Sequence, residues 1–322
     1  MKKIFIDGSA GTTGLRLEAR LRGRKDLTVT TLPEAQERDT HLRTQMLNEA
    51  DVAFLCLPDE AARHAVALTQ NPDTVLIDTS TAHRTASGWA YGFPELGFAA
   101  AIRQSRRVAV PGCHAGGFVA LIKPLVLAGI LSRESLLHCL SLTGYTGAGR
   151  EAIARYEAPS RALHDALSAP WQYALEQNHK HLPEMRAYAG LDAPPVFCPV
   201  IADFPCGMEV TVPLHGNCVA AAKAAWEECS TGASLTPTRS AILDCYQEFY
   251  ANAAAVLVSP DACSLSPDTY KGRDSMELSV AGNDERMLLI ARFDNLGKGA
   301  SGAAVQCMNL VIGAEETEGL VL

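Results

Sequence analysis

Short apolar runs alternate with helix-like segments through the first 110 residues of this chain. The runs are Lys3–Ile6, Leu27–Thr30, Val52–Leu57, Thr74–Asp78 and Val108–Val110. They are rich in β-branched residues and mostly lack apolar–polar alternation, which is typical of strands buried on both faces of a parallel sheet. Strands that alternate with helices indicate repeated βαβ units. The sequence therefore predicts an α/β fold that begins with a parallel sheet.

One segment of this region fits the pattern poorly. From Leu15 to Arg22, leucine or alanine alternates with arginine or glutamate, which by itself is typical of a strand. Its residues are nevertheless helix formers, and a glycine turn precedes them. We therefore predict a helix here.

The pattern changes after Pro111. A helix-like stretch at 117–131 leads to a strand candidate at 136–142, and a polar connection with helical pieces fills 145–190. Four further strand candidates are Val196–Ile201, Glu209–Leu214, Met276–Ala281 and Met287–Phe293. Helices are expected at 219–229, 239–252 and 299–312. This order predicts a second domain with a mixed, partly antiparallel sheet, packed on the first across a cleft.

Length and composition exclude several classes of protein. The 322 residues leave room for two domains at roughly 150 residues each. The 28 Lys+Arg and 36 Asp+Glu residues give a net charge of −8, which favours neither nucleic acid nor anionic lipid as a partner. No apolar run approaches the ~18 residues of a membrane span, and we expect neither a membrane segment nor a signal peptide.

Ten cysteines are scattered along the chain without a CxxC pair. Reduced thiols are the usual state in such a chain, so we predict a cytoplasmic location and no disulfide framework. Cys113 differs from the others because it follows a strand candidate and Pro111-Gly112, at the expected start of a helix. Helix N–H groups can lower a thiol pKa and hold an oxyanion. Cys113 is therefore the candidate nucleophile, whereas a cysteine is otherwise a small buried hydrophobe.

A glycine-rich loop follows the first strand and opens a helix. Its residues are candidate contacts for a dinucleotide pyrophosphate: Gly8, Ser9, Ala10, Gly11, Thr12, Thr13 and Gly14. The alternative is a tight turn without a ligand. The second strand ends at Thr30–Pro33 without the acidic residue of an NAD site, which favours NADP. Arg22, Arg24 or Arg38 could bind its additional phosphate.

Two histidines and a carboxylate lie close together at His179, His181 and Glu184. An acid–base unit is the leading interpretation, in which an imidazole accepts the Cys113 proton and Glu184 stabilises the imidazolium. Zinc ligation and a solvated surface are the alternatives. Arg84 follows another strand and could bind a phosphate or carboxylate bidentately.

Seven segments together resemble N-acetyl-γ-glutamyl-phosphate reductase of arginine biosynthesis, in particular its shorter class. They are Gly8–Gly14, Ser80–Arg84, Gly92–Leu96, Pro111–Cys113, Gly144–Gly149, His179–Glu184 and Gly297–Gln306. They occur in the family's order, and PGC with HxHxPE is the specific part. This chain departs from longer members of the family at His83-Arg84. It also departs from them at His114, a position at which those members usually have tyrosine.

The resemblance implies an NADP-binding Rossmann-like domain over 1–112, completed by a C-terminal helix within 299–322. It implies an α+β catalytic and oligomerisation domain over 113–298, of the glyceraldehyde-phosphate/aspartate-semialdehyde dehydrogenase type. A homodimer or homotetramer is expected. No metal is expected.

The same resemblance implies roles for individual residues. The expected catalytic residues are Cys113 as nucleophile, His181 as base and Glu184 as support of the base. Arg84 and His179 would bind substrate, with Arg84 near the leaving phosphate. Gly147 and Asn309 are further expected contacts of the cofactor.

The expected reaction is the NADPH-dependent reduction of N-acetyl-γ-glutamyl phosphate, an acyl phosphate, to N-acetylglutamate γ-semialdehyde through a thioester on Cys113. The alternatives are an aspartate-semialdehyde dehydrogenase-like reductase of another acyl phosphate, and a nucleotide-binding regulator without catalysis. A zinc enzyme is a third.

Overall fold

The structure of the protein, a computed structural model, describes residues 1–37, 39–162, 165–216, 238–260 and 264–322. Within these ranges the chain forms two sheets flanked by helices. The helix expected at 219–229 lies outside the described residues, as does Arg38. No helix of the described ranges is long and apolar enough to cross a membrane.

The first sheet has six strands, all parallel, in the order β2-β1-β3-β4-β6-β5. These are β1 (Lys2–Asp7), β2 (Leu27–Thr31), β3 (Val52–Leu55), β4 (Val75–Asp78), β5 (Ala90–Tyr91) and β6 (Arg107–Ala109). The helices of this half are α1 (Thr12–Leu21), α2 (Thr40–Glu49), α3 (Asp59–Leu68) and α4 (Ala99–Gln104). Strands β3 and β4 are buried along their whole length, as their unbroken apolar runs predict. The predicted parallel sheet is confirmed, whereas β5 was not predicted.

Helix α1 explains the alternating segment. Leu17 and Leu21 lie one turn apart and are fully buried in the core of the first sheet. Arg16 and Arg20 lie one turn apart on an adjoining face. Leucines and arginines that each recur every four residues on neighbouring faces give an alternating sequence that resembles a strand. The segment forms a helix, which confirms the prediction.

The two arginines of α1 connect it to the second half of the chain. Arg16 binds Asp294 at 3.1 Å, and Arg20 pairs with Asp274. Both aspartate side chains are fully buried, so their charges depend on these partners. Because α1 starts at the glycine loop, the ion pairs hold that loop in position relative to the second sheet.

The second sheet has seven strands in the order β11-β12-β13-β10-β7-β9-β8, and it is mixed as predicted. These are β7 (His138–Gly144), β8 (Trp171–Gln172), β9 (Val196–Ala202), β10 (Met208–His215), β11 (Val256–Ser259), β12 (Met276–Gly282) and β13 (Arg286–Phe293). Its helices are α5 (Cys113–Leu127), α6 (Arg150–Tyr156), α7 (Leu182–Ala189) and α8 (Arg239–Phe249). Strands β8 and β11 were not predicted.

The end of the chain returns to the first sheet. A π-helical turn, Gly297–Ser301, leads into α9 (Gly302–Ile312). Ala304, Cys307 and Leu310 of α9 are buried with Ile4 and Phe54 in one apolar core. The π-helical turn therefore lies where the chain passes from one sheet to the other. The domain limits at residues 112 and 298 stay predictions.

Candidate active site

A cleft of about 630 Å³ lies between the two sheets, at the N-terminus of α5. Its wall combines the first half of the chain (Thr13, Thr79, Arg84) with the second half (Cys113, Gly147, Tyr173, His181). The carboxyl ends of parallel strands are the usual place for a ligand in an open α/β sheet. Among the residues that the structure describes, no carboxylate lines the cleft, whereas three cationic side chains do: Arg84, Arg155 and Lys180. The cleft therefore suits an anionic ligand.

Cys113 is the first residue of α5, as predicted. Burial raises the pKa of its thiol, although Arg84 and the N–H groups of Cys113 and His114 lower it. Sequence reasoning anticipated only the lowering effect of the helix. Because burial dominates, the thiol needs a base that accepts its proton.

His181 lies immediately before α7 and is buried in the same cleft. Burial, followed by the positive charge of Arg84, holds its pKa well below the ordinary histidine value. The imidazole is therefore neutral and able to accept a proton, although the lowered pKa also makes it a weaker base than an ordinary histidine. Its backbone N–H donates to Nδ1 of His179 at 3.1 Å, which connects the two histidines.

Gly112 is packed so closely against Arg84 and His181 that it leaves no room for a side chain. A Cβ atom there would lie 2.4 Å from Nη1 of Arg84 and 2.4 Å from Nε2 of His181. Heavy atoms cannot approach so closely without moving. The absence of a side chain at Gly112 therefore lets Arg84 and His181 approach the residue next to the nucleophile.

The expected support of His181 by Glu184 is wrong. Glu184 accepts hydrogen bonds from the Tyr91 hydroxyl and from the Gly112 N–H, both at 2.9 Å, and from Arg84 at 3.3 Å. Nδ1 of His181 is buried without a hydrogen-bond partner in the described part of the chain. Glu184 instead fixes the guanidinium and the backbone that precede the nucleophile. Tyr91 directly precedes the Gly92–Leu96 segment and was not among the predicted site residues.

Arg84 is held on three sides. Nε donates to the Val110 carbonyl at 2.9 Å and Nη2 to the Thr79 carbonyl at 3.1 Å, in addition to the contact of Nη1 with Glu184. A guanidinium has five N–H donors, and three of them are used by partners among the described residues, so two remain for a ligand in the cleft. This geometry suits recognition of an anionic oxygen.

His114 was singled out in the sequence only as a departure from longer relatives, and the structure places it in the cleft. Its Nδ1 lies 2.7 Å from Oγ of Ser141, and its Nε2 lies 2.9 Å from the Tyr173 hydroxyl oxygen. Burial lowers its pKa to about 3, so the imidazole is neutral. Its ring centroid lies 5.5 Å from that of His181.

The glycine loop borders a second groove of about 640 Å³, which shares Thr13, Arg84 and Lys180 with the cleft. Gly8 has φ +86°, and a Cβ at Gly8 or Gly14 would lie 2.4 Å from a backbone carbonyl oxygen. The hydroxyl oxygen of Thr12 is buried without a partner among the described residues. The first turn of α1 has no side-chain cap, so its N–H groups are available to a phosphate. The groove fits a dinucleotide cofactor.

Two loop residues are directed elsewhere. The Ala10 N–H donates to the Glu37 carboxylate at 3.2 Å, and the Ser9 hydroxyl donates to it at 3.4 Å. Gly11, Thr12 and Thr13 line the groove, and so does Gly147 from the second half of the chain. Gly8 and Gly14 contribute by letting the backbone turn.

Asn309 is placed away from both cavities. It is fully buried, its amide donates to the Glu316 and Glu318 carbonyls, and its oxygen accepts from Arg24. This geometry gives no support to the expected contact of Asn309 with the cofactor, which stays a prediction. Arg24 is held in the same contact, while Arg22 pairs with Glu18 on the surface.

Metal ligation has no geometric support in the part of the chain that the structure describes. His179, His181 and Glu184 do not form a metal-binding group there, nor does any other set of three or more His, Cys, Asp or Glu. The seven cysteines within the described ranges are free thiols.

Comparison with known proteins places this geometry in a family. Residues 8–105 match the semialdehyde dehydrogenase NAD binding domain, and residues 113–295 match the semialdehyde dehydrogenase dimerisation domain. N-acetyl-gamma-glutamyl-phosphate reductase 2 of Pseudomonas putida is 42% identical over 98% of each chain. The N-acetyl-gamma-glutamyl-phosphate reductase of Sinorhizobium fredii is 43% identical over 97% of this chain and 99% of its own.

Solved structures share the fold at low sequence identity. Aspartate semialdehyde dehydrogenase II of Vibrio cholerae superimposes with a TM-score of 0.70 at 15% identity, over 97% of this chain and 99% of that one. Aspartate semialdehyde dehydrogenase of Candida albicans, solved with NADP, gives 0.64 at 14% identity over 97% and 99%. The fold prediction is confirmed, and the identity to the reductases shows that this chain belongs to the N-acetyl-gamma-glutamyl-phosphate reductase family.

Proposed function

We propose that this protein reduces N-acetyl-γ-glutamyl phosphate to N-acetylglutamate γ-semialdehyde and inorganic phosphate, with NADPH as reductant. The observation that carries the proposal is the position of Cys113 at a helix N-terminus, in one cleft with the neutral His181. The described residues line this cleft with cations and with no carboxylate. The full-length identity to named reductases supports this choice of substrate.

The first step uses Cys113, His181 and Arg84. His181 accepts the thiol proton, and the sulfur attacks the carbonyl carbon of the acyl phosphate. The sulfur–carbon bond forms, the bond between carbon and the phosphate oxygen breaks, and phosphate leaves with the electron pair of that bond. The two unused N–H donors of Arg84 bind the departing phosphate. The product is a thioester on Cys113.

The second step converts the thioester to the aldehyde. NADPH, when bound, supplies the hydride. Helix N–H groups at the start of α5 stabilise the oxyanion that develops on the former carbonyl oxygen. The oxyanion then re-forms the carbonyl, the carbon–sulfur bond breaks, and the sulfur recovers its proton from His181.

The residues proposed to hold NADPH are those that line the second groove. Thr12 and Thr13 would donate N–H groups to the pyrophosphate, and Gly147 lines the groove with them. Gly8, Ser9, Ala10, Gly11 and Gly14 shape the loop. His179 is proposed to bind substrate together with Arg84, since both line the cleft.

A homodimer or homotetramer in the cytoplasm completes the proposal. The matched family domain is described as a dimerisation domain. Leu140, Val196 and Leu288 expose between 41% and 48% of their surface on the second sheet, which provides an apolar face for a second copy. The free thiols favour a reducing compartment.

The test is a reverse assay with purified protein, phosphate and N-acetylglutamate γ-semialdehyde. We expect reduction of NADP⁺ that requires phosphate, slower reduction of NAD⁺, and little turnover of aspartate semialdehyde, whose free amine replaces the acetamide. Faster turnover of aspartate semialdehyde would replace the proposed substrate. No reduction of either nucleotide would contradict the proposed function.

A further inference from the structure

Ser141, His114 and Tyr173 form a hydrogen-bonded chain that the proposed reaction does not use. Ser141 lies on β7 and is fully buried, His114 is the second residue of α5, and Tyr173 follows β8. The chain runs from the sheet through the buried imidazole to the wall of the cleft, which Tyr173 and His114 both line.

The direction of these hydrogen bonds follows from counting donors and acceptors. The imidazole is neutral, so one ring nitrogen donates and the other accepts. Among the described residues, Nδ1 of His114 is the one hydrogen-bond partner of the Ser141 hydroxyl. A buried donor left without an acceptor costs about 1–3 kcal/mol. The Ser141 proton is therefore directed to Nδ1, and the proton of the imidazole lies on Nε2.

This tautomer determines the direction of the next bond. Nε2–H of His114 donates to the hydroxyl oxygen of Tyr173. The phenol then has its own proton free, because the imidazole already acts as the donor in that contact. Burial raises the pKa of Tyr173 above its ordinary value, and the nearby Cys113 sulfur raises it further. The phenol therefore remains a donor.

We propose that Ser141 and His114 are positioning residues that direct the Tyr173 O–H into the cleft, where it donates to an oxygen of the substrate acyl chain. The opposite tautomer would direct the Tyr173 proton to His114 and leave the ligand without this donor. The substrate part of this proposal rests on the proposed function, whereas the tautomer does not.

The kinetic test is a double-mutant cycle in the reverse assay with the semialdehyde. Tyr173→Phe should raise KM about tenfold with kcat changed less than about twofold, as expected for a lost ground-state hydrogen bond. Ser141→Ala should raise KM about threefold or more. In the Tyr173→Phe background, Ser141→Ala should leave KM unchanged, because Ser141 acts through the phenol. A purely structural Ser141 would give effects that multiply, and that result would overturn the proposal.

The tautomer is measured on the unmutated protein. In protein labelled with ¹⁵N-histidine, two-bond proton–nitrogen correlations distinguish Nε2–H from Nδ1–H, and His114→Gln identifies the His114 signal. We expect Nε2–H, and an Nδ1–H pattern would overturn the proposal even if Ser141→Ala fails to fold. Absence of wild-type turnover would contradict the proposed function, while this spectrum would still decide the tautomer.

Discussion

Acidification should destabilise the protein through His114. Its pKa is about 3 in the folded protein because the imidazole is buried, against an ordinary value of 6.5. Between these two values the unfolded chain binds a proton that the folded chain does not bind. The free energy of unfolding is therefore unaffected by this group above about pH 6.5 and decreases as the pH falls below that value.

The magnitude follows from linkage. Between pH 7.5 and pH 5, His114 alone should remove about 2 kcal/mol from the free energy of unfolding, at 1.36 kcal/mol per pH unit over the roughly 1.5 units below the ordinary pKa. His181 and His179 act in the same direction, since their pKa values are also lowered. A matched variant is therefore needed to isolate His114.

The assay is urea unfolding at both pH values for the wild type and for His114→Gln, at one protein concentration. The variant has no titrating group at position 114. It also lacks the contribution by which His114 lowers the pKa of His181. Its loss of stability between pH 7.5 and pH 5 should be about 2 kcal/mol smaller than that of the wild type. Equal losses in the two proteins would refute the account of His114 as a buried neutral imidazole.

Four further results are expected around the cleft. Gly112→Ala should reduce kcat/KM at least ~100-fold while the protein stays folded by circular dichroism, because the new Cβ would displace groups at the nucleophile; near-normal kinetics would refute this. Arg84→Lys should reduce kcat/KM by ~100-fold, since an ammonium cannot replace the three directed contacts, and full activity would count against the guanidinium. The rate at which iodoacetamide alkylates Cys113, measured by mass spectrometry, should still increase with pH above pH 8.5, because burial raises the thiol pKa. An alkylation rate that no longer increases above pH 7 would contradict a raised pKa. Arg155→Gln should raise KM several-fold in the reverse assay, because the positive charge of Arg155 attracts the anionic substrate. An unchanged KM would show that Arg155 does not contribute to this attraction.

Local patterns predicted most of the fold. The unbroken runs of β3 and β4 and the glycine turn before α1 are determined by neighbouring residues, so the parallel sheet and its first helix could be read from the sequence. Strand β8 has only two residues, which is too short for a period to be visible. The ion pairs of Arg16 and Arg20 depend on residues more than 250 positions away, and no local pattern contains them.

The sequence predicted which residues form the site, but it predicted the contacts between them less well. Cys113 at a helix start follows from the strand and the Pro-Gly pair before it, and the structure agrees. Glu184 is only three residues from His181, yet Tyr91 and the Gly112 N–H bind its carboxylate. The net effect on the Cys113 pKa depends on burial, which sequence spacing does not measure.

The proposed reaction requires a covalent bond between the Cys113 sulfur and the acyl group of the substrate. The most direct measurement compares Cys113→Ala with the wild type in the phosphate-dependent reduction of NADP⁺ by N-acetylglutamate γ-semialdehyde. Cys245→Ala, at a half-buried free thiol on α8, is the matched control. We expect Cys113→Ala to lose activity by ~10⁴-fold or more, with Cys245→Ala close to the wild type. Turnover by Cys113→Ala within about tenfold of the wild type would contradict the account.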